Sequence, residues 1–347
     1  MGKIIVPTGY MGSGSSAITD VIHEFQGYEA HHDSFEYVFL HCPDGVFDLE
    51  DKLLIGNNAI RSDEALHSFR ARMEELYYHR FWWPANYKKY LHTDFLKYTE
   101  AYVESLIQYK SDCAWYMQQR PSLVMFLKNC VRRFFMLISN GKVKIPYSLR
   151  YSPMTLSFVT ADEFYSASKE YIYQLFKIMG LDKENLILDQ LLLPYNLWRA
   201  EKYFRDDMEC FVVERDARDI FIINKYIWTK NDEQVPYPID VEQFCEYYRH
   251  LRSVEKKVDN PYIHRFWFED LIYQYDDSID RICRILGVNE KEHVKRGLYF
   301  EPKRSINNTQ LFRFDEYEEE TKIIEQKLPE FLYQFPYVRK PELNKSF

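Results

Sequence analysis

The sequence predicts an α/β fold with three layers, in which helices cover both faces of a parallel sheet. Near the N-terminus, an apolar segment over residues 4–6 leads into a glycine-rich turn, and apolar residues then recur at helical spacing. From about residue 161 onwards, short apolar segments alternate with amphipathic helical segments. Because alternating strands and helices form parallel sheets through right-handed crossovers, we expect these strands to lie side by side in one sheet.

Each predicted element has its own sequence signal. A second strand is predicted near residues 28–31, and a helix over residues 161–179 ends where Gly180 permits a left-handed turn. The rest of the alternation follows in order: a strand NLILD at 185–189, a helix near 196–204, a strand CFVVE at 210–214, a helix from Ala217, a helix at about 241–257, a strand IHRFWF at 263–268, two short helices ending in ILGV, and a charged helix DEYEEETKIIEQKL at 315–328. We expect a single domain over residues 1–347.

Residues 62–140 depart from this alternation. Segments such as DEALHSFRARMEELYY and DFLKYTEAYVESLIQY place apolar residues three and four positions apart, which predicts helices and no strand. We expect this block to be a helical insertion between two strands of the sheet.

The composition excludes several classes of protein. A formal net charge of −8 argues against a broad nucleic-acid surface, which needs clustered Lys and Arg. The six cysteines are scattered without metal-ligand spacing, which favours a reduced, cytoplasmic setting and gives no indication of a metal site. No apolar run reaches the roughly 18 residues of a membrane span, and the N-terminus does not have the shape of a signal peptide.

The first glycine-rich turn, GYMGSGSSA at residues 9–17, has the features of an anion-binding loop. Gly9 and Gly14 have the spacing of a nucleotide-binding P-loop, but Ser15 stands where such a loop carries its lysine. Backbone N–H groups and a helix N-terminus at the end of a strand attract an anion, and Ser13 and Ser16 add hydroxyl donors. The alternative is a tight strand-to-helix turn that binds no ligand.

Four segments in order resemble the sulfotransferase family, P-loop-like enzymes that use 3'-phosphoadenylyl sulfate (PAPS) as donor. They are GYMGSGSS, LDQLLLPYN, VVERDARDIFIINKY and FEDLIYQYDDSIDRICRILGV. The resemblance is patchy over residues 9–45, continuous over about 161–310, and closest to bacterial members that sulfate surface or capsular glycans. It implies a P-loop-like nucleotide-binding core, a sulfuryl transfer to a hydroxyl and no metal.

The resemblance also implies where the donor's phosphosulfate binds. The loop residues that would hold it are Gly12, Ser13, Gly14, Ser15 and Ser16. The family carries a Lys or Arg at the position of Gly12, where its charge stabilises the leaving group, and this chain departs from that pattern. Basic residues considered as replacements are Arg61, Arg199, Lys303 and Arg304.

The 3'-phosphate of the donor is expected at two later segments. Arg215 occupies the position of the family's phosphate-gripping arginine, and a guanidinium suits this task through its fork of donors. Ile223 replaces the serine that completes the grip, which leaves Asn224 as a substitute. The basic loop KRSINN adds Lys303, Arg304 and Ser305 as further contributors, although basic loops are often simply solvated.

The acceptor side is expected around the ends of two strands. In related glycan and protein-tyrosine sulfotransferases a Glu after the second strand is the base, which places Glu36 in that role with His32 as the next candidate. Gln190 would bind the acceptor or the donor, or would join neighbouring loops. An aromatic content of 17% favours a carbohydrate acceptor by stacking, with the insertion as one wall of the acceptor cleft.

Two other functions remain open at this stage. A P-loop kinase for a small molecule fits the strand, loop and helix, but the missing lysine counts against it. A non-catalytic member of the fold that binds a nucleotide or glycan is favoured by the departures at Gly12 and Ile223.

Overall fold

A computed structural model describes residues 2–30, 36–78, 87–114, 123–143, 153–205, 207–231 and 234–340. It contains seven strands: β1 (Ile4–Gly9), β2 (Tyr28–Ala30), β3 (Tyr109–Ala114), β4 (Pro153–Leu156), β5 (Asn185–Ile187), β6 (Met208–Glu214) and β7 (Ile263–Trp267). Its α-helices are α1 (Ser16–His23), α2 (Val46–Leu54), α3 (Ala59–Tyr78), α4 (Tyr87–Leu91), α5 (Asp94–Leu106), α6 (Leu123–Ile138), α7 (Ala161–Ile178), α8 (Ala200–Tyr203), α9 (Ala217–Ile222), α10 (Val241–Ser253), α11 (Asp270–Tyr273), α12 (Tyr275–Leu286), α13 (Pro302–Ser305) and α14 (Glu318–Lys327).

Five of the strands form one parallel sheet in the order β2-β5-β1-β6-β7. β1 lies at its centre and is buried along its whole length, because the residues IIVPTG are covered on both faces. The six residues of β1 pair in register with β6, from Ile4 opposite Met208 to Gly9 opposite Val213. The α/β fold class predicted from the sequence is therefore confirmed.

Helices cover both faces of this sheet. On one face, Ile4 and Val6 of β1 share a core with apolar residues of α2, α3, α5 and α7. On the other face, Ile5 packs with α1 and α12. A third core joins α9, α10 and α14 beside the sheet. Since residues of α3 and α5 belong to the first core, the predicted insertion shares the hydrophobic core that covers this face of the central strand.

Local signals explain where the main helices begin and end. Thr160 caps α7 and forms a capping box with Glu163, which satisfies N–H groups at the helix start. Asp216 caps α9 by accepting a hydrogen bond from the Arg218 N–H, as expected for an Asp before a helix. Gly287 ends α12 in the left-handed conformation, with φ of 69°.

The structure corrects two predictions about elements. The block over residues 62–140 was expected to contain no strand, yet β3 lies within it and pairs antiparallel with β4. The segment EPKRSINNTQ was expected to be an irregular loop, but it forms α13 and a short 3₁₀ turn over Ile306–Asn308. Across the described ranges, none of the helices is both long and apolar enough to cross a bilayer.

Candidate active site

The loop between β1 and α1 is shaped by its glycines. Gly12 and Gly14 both adopt positive φ angles, of 80° and 81°, which side chains on Cβ disfavour. A Cβ at Gly14 would lie 2.9 Å from the ring of Phe268, and one at Gly9 would lie 2.2 Å from Ser13 Oγ. These close approaches fold the loop tightly over the carboxyl end of the central strand.

The loop leaves several donors without an acceptor. No acceptor in the described part of the chain pairs with the N–H groups of Gly12, Gly14, Ser15 and Ser16. Ser13 is fully buried, and its Oγ also has no hydrogen-bond partner among the described residues. Because these N–H groups precede or open α1, the positive end of the helix dipole adds to them. Such a set of unpaired donors can hold an anion, and the anion-binding role of the loop stays a prediction.

Gln190 connects this loop to the neighbouring strand β5. Its Nε2 donates a 3.0 Å hydrogen bond to Ser15 Oγ, and its N–H donates to Pro7 O at 3.0 Å. Its carbonyl accepts a 2.8 Å hydrogen bond from His41 Nε2. Gln190 achieves this with a φ of 58°, a left-handed conformation that is unusual for a non-glycine residue and recurs at functional sites.

Arg215 lies against the same loop from the end of β6. Its Nη1 donates a 3.1 Å hydrogen bond to Gly12 O, and its Nη2 donates to Asn308 O. The side chain is buried over the ring of Phe268, and Nε has no partner in the described ranges. The guanidinium therefore supplies a positive charge next to Gly12.

Buried carboxylates surround this guanidinium. Asp219 accepts hydrogen bonds from the N–H groups of Gln310 and Leu311, at 2.8 and 2.7 Å, which fixes the chain next to Asn308. Glu269 accepts a 3.0 Å hydrogen bond from the Asp216 N–H. Glu269 directly precedes α11, but its side chain makes no capping bond to that helix. Burial raises the pKa of both Glu269 and Asp219, the latter to about 7.

The other residues predicted for the 3'-phosphate have different surroundings. Lys303 and Arg304 are exposed on α13, and Ser305 is half-buried beside them. Asn224 is fully buried, and its side chain donates to Tyr237 O and accepts from the Tyr237 N–H. Tyr237 in turn donates a 2.9 Å hydrogen bond to Met11 O. Asn224 thus supports the loop through Tyr237.

Three carboxyl groups meet at the edge of β1 and β5. Burial raises the pKa of Asp189 to about 7, with the charges of Glu36 and Asp20 adding to the effect. Burial also raises the pKa of Glu36, and burial together with Glu24 raises that of Asp20 to about 6. Asp189 Oδ1 is buried without a hydrogen-bond partner in the described part of the chain. Burial at this edge therefore raises the pKa of all three carboxyl groups above its ordinary value.

Glu36 is held next to this edge by its own backbone. Its carbonyl accepts a 3.1 Å hydrogen bond from Tyr87 Oη of α4, and the following N–H, of Tyr37, donates to Asp189 O at 3.4 Å. The insertion therefore contacts the segment of the candidate base. His32, the second candidate, lies outside the described residues.

The structure also shows what the proposed replacement cations do. Arg199 donates hydrogen bonds to Glu50 at 2.5 Å and to Asp51 at 2.8 and 3.0 Å, so ion pairs occupy its guanidinium. Arg61, like Lys303 and Arg304, is exposed. No group of three His, Cys, Asp or Glu residues that could hold a metal ion occurs in the described ranges.

Sequence reasoning did not identify three contributors: His41, Tyr237 and Asp189 as a titrating group. His41 and Tyr237 act through single hydrogen bonds to backbone carbonyls far along the chain, for which a sequence holds no local signal. Asp189 does carry a signal, because an acidic residue at the end of a buried strand reaches the edge where ligands of open α/β sheets bind.

No protein-family model matches the chain, and no curated protein sequence matches it either. The solved structures that are similar to it include two sulfotransferase domains. The sulfotransferase domain from the curacin biosynthetic pathway is 12% identical with a TM-score of 0.35, over 98% of this chain and 93% of that chain. The sulfotransferase domain from the Synechococcus PCC 7002 olefin synthase is 13% identical with a TM-score of 0.37, over 96% and 94%. Both similarities are low.

Proposed function

We propose that the chain is a sulfotransferase that moves a sulfuryl group from PAPS to a hydroxyl group of a carbohydrate acceptor. The observation that carries this proposal is the loop after β1, which has no lysine. It combines four unpaired N–H groups and the buried Ser13 Oγ with the guanidinium of Arg215 at Gly12. Together with the order of the four sequence segments, this arrangement supports a phosphosulfate ligand rather than the β- and γ-phosphates of ATP.

The unpaired polar atoms fit the donor. The N–H groups of Gly14, Ser15 and Ser16 would receive the 5'-phosphosulfate, and Ser13 Oγ would donate from beneath the loop. Each of these donors is already in place, so binding requires little reorganisation of the chain. Gln190 would keep Ser15 oriented through their 3.0 Å hydrogen bond.

The far phosphate of the donor would lie on the β6 side of the loop. Arg215 would face it through the unpaired Nε, while its Nη atoms hold Gly12 and Asn308 in place. Helix α13 would contribute Lys303, Arg304 and Ser305 to this phosphate site. The side chains of Lys303 and Arg304 are exposed, so they could move to contact the bound nucleotide. We assign Asn224 to positioning of the loop through Tyr237.

When bound, the donor supplies an electrophilic sulfur and a phosphate leaving group. The acceptor oxygen would form a bond to sulfur as the bond from sulfur to the phosphate oxygen breaks, and the hydroxyl proton would pass to Glu36. Burial raises the pKa of Glu36, so its carboxylate is a stronger base than one in water. Arg215 and the loop N–H groups would stabilise the negative charge on the leaving phosphate.

A carbohydrate acceptor is supported by the residues around Glu36. The insertion over residues 62–140 reaches this place through Tyr87, and Tyr90 of the same helix is half-buried nearby. The ring of Tyr87 is buried, so Tyr90 is the ring of this helix on which a sugar could stack. We therefore propose the insertion as one wall of the acceptor cleft.

Titration calorimetry with adenosine 3',5'-bisphosphate (PAP) and with Mg²⁺-ATP tests this function. We expect PAP to bind at least tenfold more tightly than Mg²⁺-ATP. Loss of charge-assisted hydrogen bonds costs about 1.5–3 kcal/mol, so Arg215→Gln should weaken PAP binding by about 10- to 150-fold. Ser13→Ala should weaken it by several-fold without loss of fold, whereas Arg284→Gln, an exposed arginine of α12, should leave it unchanged.

Three results would overturn the proposal: tighter binding of Mg²⁺-ATP, no binding of PAP, or equal PAP affinity in all three variants. Release of PAP from PAPS in the presence of saccharides then tests the transfer itself. Glu36→Gln should reduce this release strongly while it leaves PAP binding unchanged. If the variant retains full transfer activity, Glu36 is not the base.

A further inference from the structure

Helix α6 exposes a large apolar face to solvent. Most of its apolar side chains are more than half exposed, including Leu127 at 54%, Phe134 at 59% and Leu137 at 76%. None of its described side chains belongs to the three cores of the protein. Soluble monomers rarely expose contiguous apolar patches of this kind, which usually mark an interaction surface.

The helix separates apolar from basic side chains. At 100° per residue, Leu123, Leu127, Phe134 and Ile138 lie on one face. The helix's three charged residues, Lys128, Arg132 and Arg133, lie outside that face, with Arg132 directly opposite Leu123. An apolar face rich in Phe and Leu with a basic polar face is the pattern of helices that lie in a membrane interface.

The surrounding sequence has an unusual charge. Between Cys113 and Ala161 there is no Asp or Glu, although the whole chain has a net charge of −8. The same stretch contains seven basic residues: Arg120, Lys128, Arg132, Arg133, Lys142, Lys144 and Arg150. Four of the seven lie on α6 or in the turn that follows it, namely Lys128, Arg132, Arg133 and Lys142. Four to eight basic residues on or beside an amphipathic helix complement an anionic lipid surface.

A second copy of the chain fits this face less well. If two α6 helices packed through their apolar faces, the basic side chains would lie outside the interface and contribute nothing to it. A bilayer with anionic headgroups instead gains from both properties of the helix. We propose that α6 binds the surface of an anionic lipid bilayer, with its apolar face in the acyl boundary and its basic side chains among the headgroups.

Co-sedimentation of the full chain with lipid vesicles tests the proposal. Vesicles of 70% phosphatidylcholine and 30% phosphatidylglycerol should bind the protein, and vesicles of phosphatidylcholine alone should bind it much more weakly. The difference should shrink when salt is raised from 0.1 to 1 M, because the Debye length falls from about 10 to about 3 Å. Absence of binding to the anionic vesicles would overturn the proposal.

Two triple variants separate the apolar from the electrostatic contribution. Lys128→Gln with Arg132→Gln and Arg133→Gln should weaken binding to anionic vesicles on the order of 100-fold. Leu127→Gln with Phe134→Gln and Leu137→Gln should weaken binding to a similar extent, because the apolar face no longer inserts. The matched control changes three exposed apolar residues outside α6 to Gln and should bind as the parent does: Ile55, Leu298 and Val338.

A label on Cys130 provides a local readout. Cys130 is exposed on α6, while the free cysteines 42, 210, 245 and 283 are buried. With Cys113 changed to Ser, an environment-sensitive fluorophore on Cys130 should shift to the blue when anionic vesicles are added. If the apolar-face variant binds vesicles as the parent does, the site is a polyanion site and the proposal is wrong. It is equally wrong if sedimentation velocity shows dimers that depend on Phe134 and the fluorophore does not respond to vesicles.

Discussion

Asp189→Asn tests whether the ionised carboxylate of Asp189, at the edge of β1 and β5, destabilises the folded protein. Burial, with Glu36 and Asp20 nearby, raises the pKa of Asp189 from 3.8 to about 7. The folded protein therefore binds more protons than the unfolded chain between these two values, and its stability falls as pH rises through this window. Asparagine has a similar shape and does not titrate, so the substitution removes this loss.

The change in the free energy of unfolding follows from the pKa shift of Asp189. At 1.36 kcal/mol per pKa unit, ionised Asp189 costs the folded state up to about 4 kcal/mol above pH 7. Part of this cost is already present at pH 5, because the unfolded chain has lost its proton there. The stability gained by Asp189→Asn should therefore grow by about 2–3 kcal/mol between pH 5 and pH 8.

Urea denaturation of both proteins at a series of pH values measures this difference. Asp182→Asn, in an exposed turn just before the same strand, is the control and should show no trend with pH. In a Glu36→Gln background the gain should be smaller, because one of the negative charges that raise the pKa of Asp189 is gone. A gain that is constant with pH, or one that falls as pH rises, would refute the reasoning.

Three further predictions concern the loop and the packing around it. Gly14→Ala places Cβ in a left-handed residue 2.9 Å from the Phe268 ring, so calorimetry should show PAP affinity reduced at least tenfold. Phe69→Ala should cost about 3–5 kcal/mol in one cooperative transition seen by both circular dichroism and fluorescence, whereas two separate transitions would show that the insertion unfolds by itself. Glu24→Gln breaks a buried pair with His293 and should cost about 3 kcal/mol near neutral pH. Burial opposes the ionisation of Glu24, but hydrogen bonds to its carboxylate lower its pKa below the ordinary value for a glutamate. The stability lost in Glu24→Gln should therefore become smaller as the pH falls through the lowered pKa of Glu24. Urea denaturation at a series of pH values would measure this change.

Most strands of the sheet could be predicted from the sequence because the signal for each strand lies within the strand and its flanking residues. The run of apolar residues before GYMGSGSSA is enough to predict β1, and CFVVE followed by a helix from Ala217 predicts the end of β6. Strand β3 was not predicted because apolar and polar residues alternate only weakly in YKSDCA. The strand depends on pairing with β4, which comes about 40 residues later. Pairing over such distances leaves no signal in either segment alone.

The candidate site was predicted in part for the same reason. The loop's glycines and serines are contiguous, so their role as an anion cradle follows from their order. The contact of Arg215 with Gly12 O crosses 203 residues, and the bond of Asn224 to Tyr237 depends on how the intervening chain folds. Residue types alone therefore predict Arg215 at the 3'-phosphate, but they give no sign that its guanidinium also lies beside Gly12.

The structure of the protein crystallised with saturating PAP tests the central claim most directly. The 5'-phosphate should lie within hydrogen-bond distance of the N–H groups of Gly14, Ser15 and Ser16, with Ser13 Oγ beneath it. Arg215 should contact the nucleotide through Nε. A nucleotide bound elsewhere on the chain, or a loop that holds no phosphate at saturation, would contradict the account.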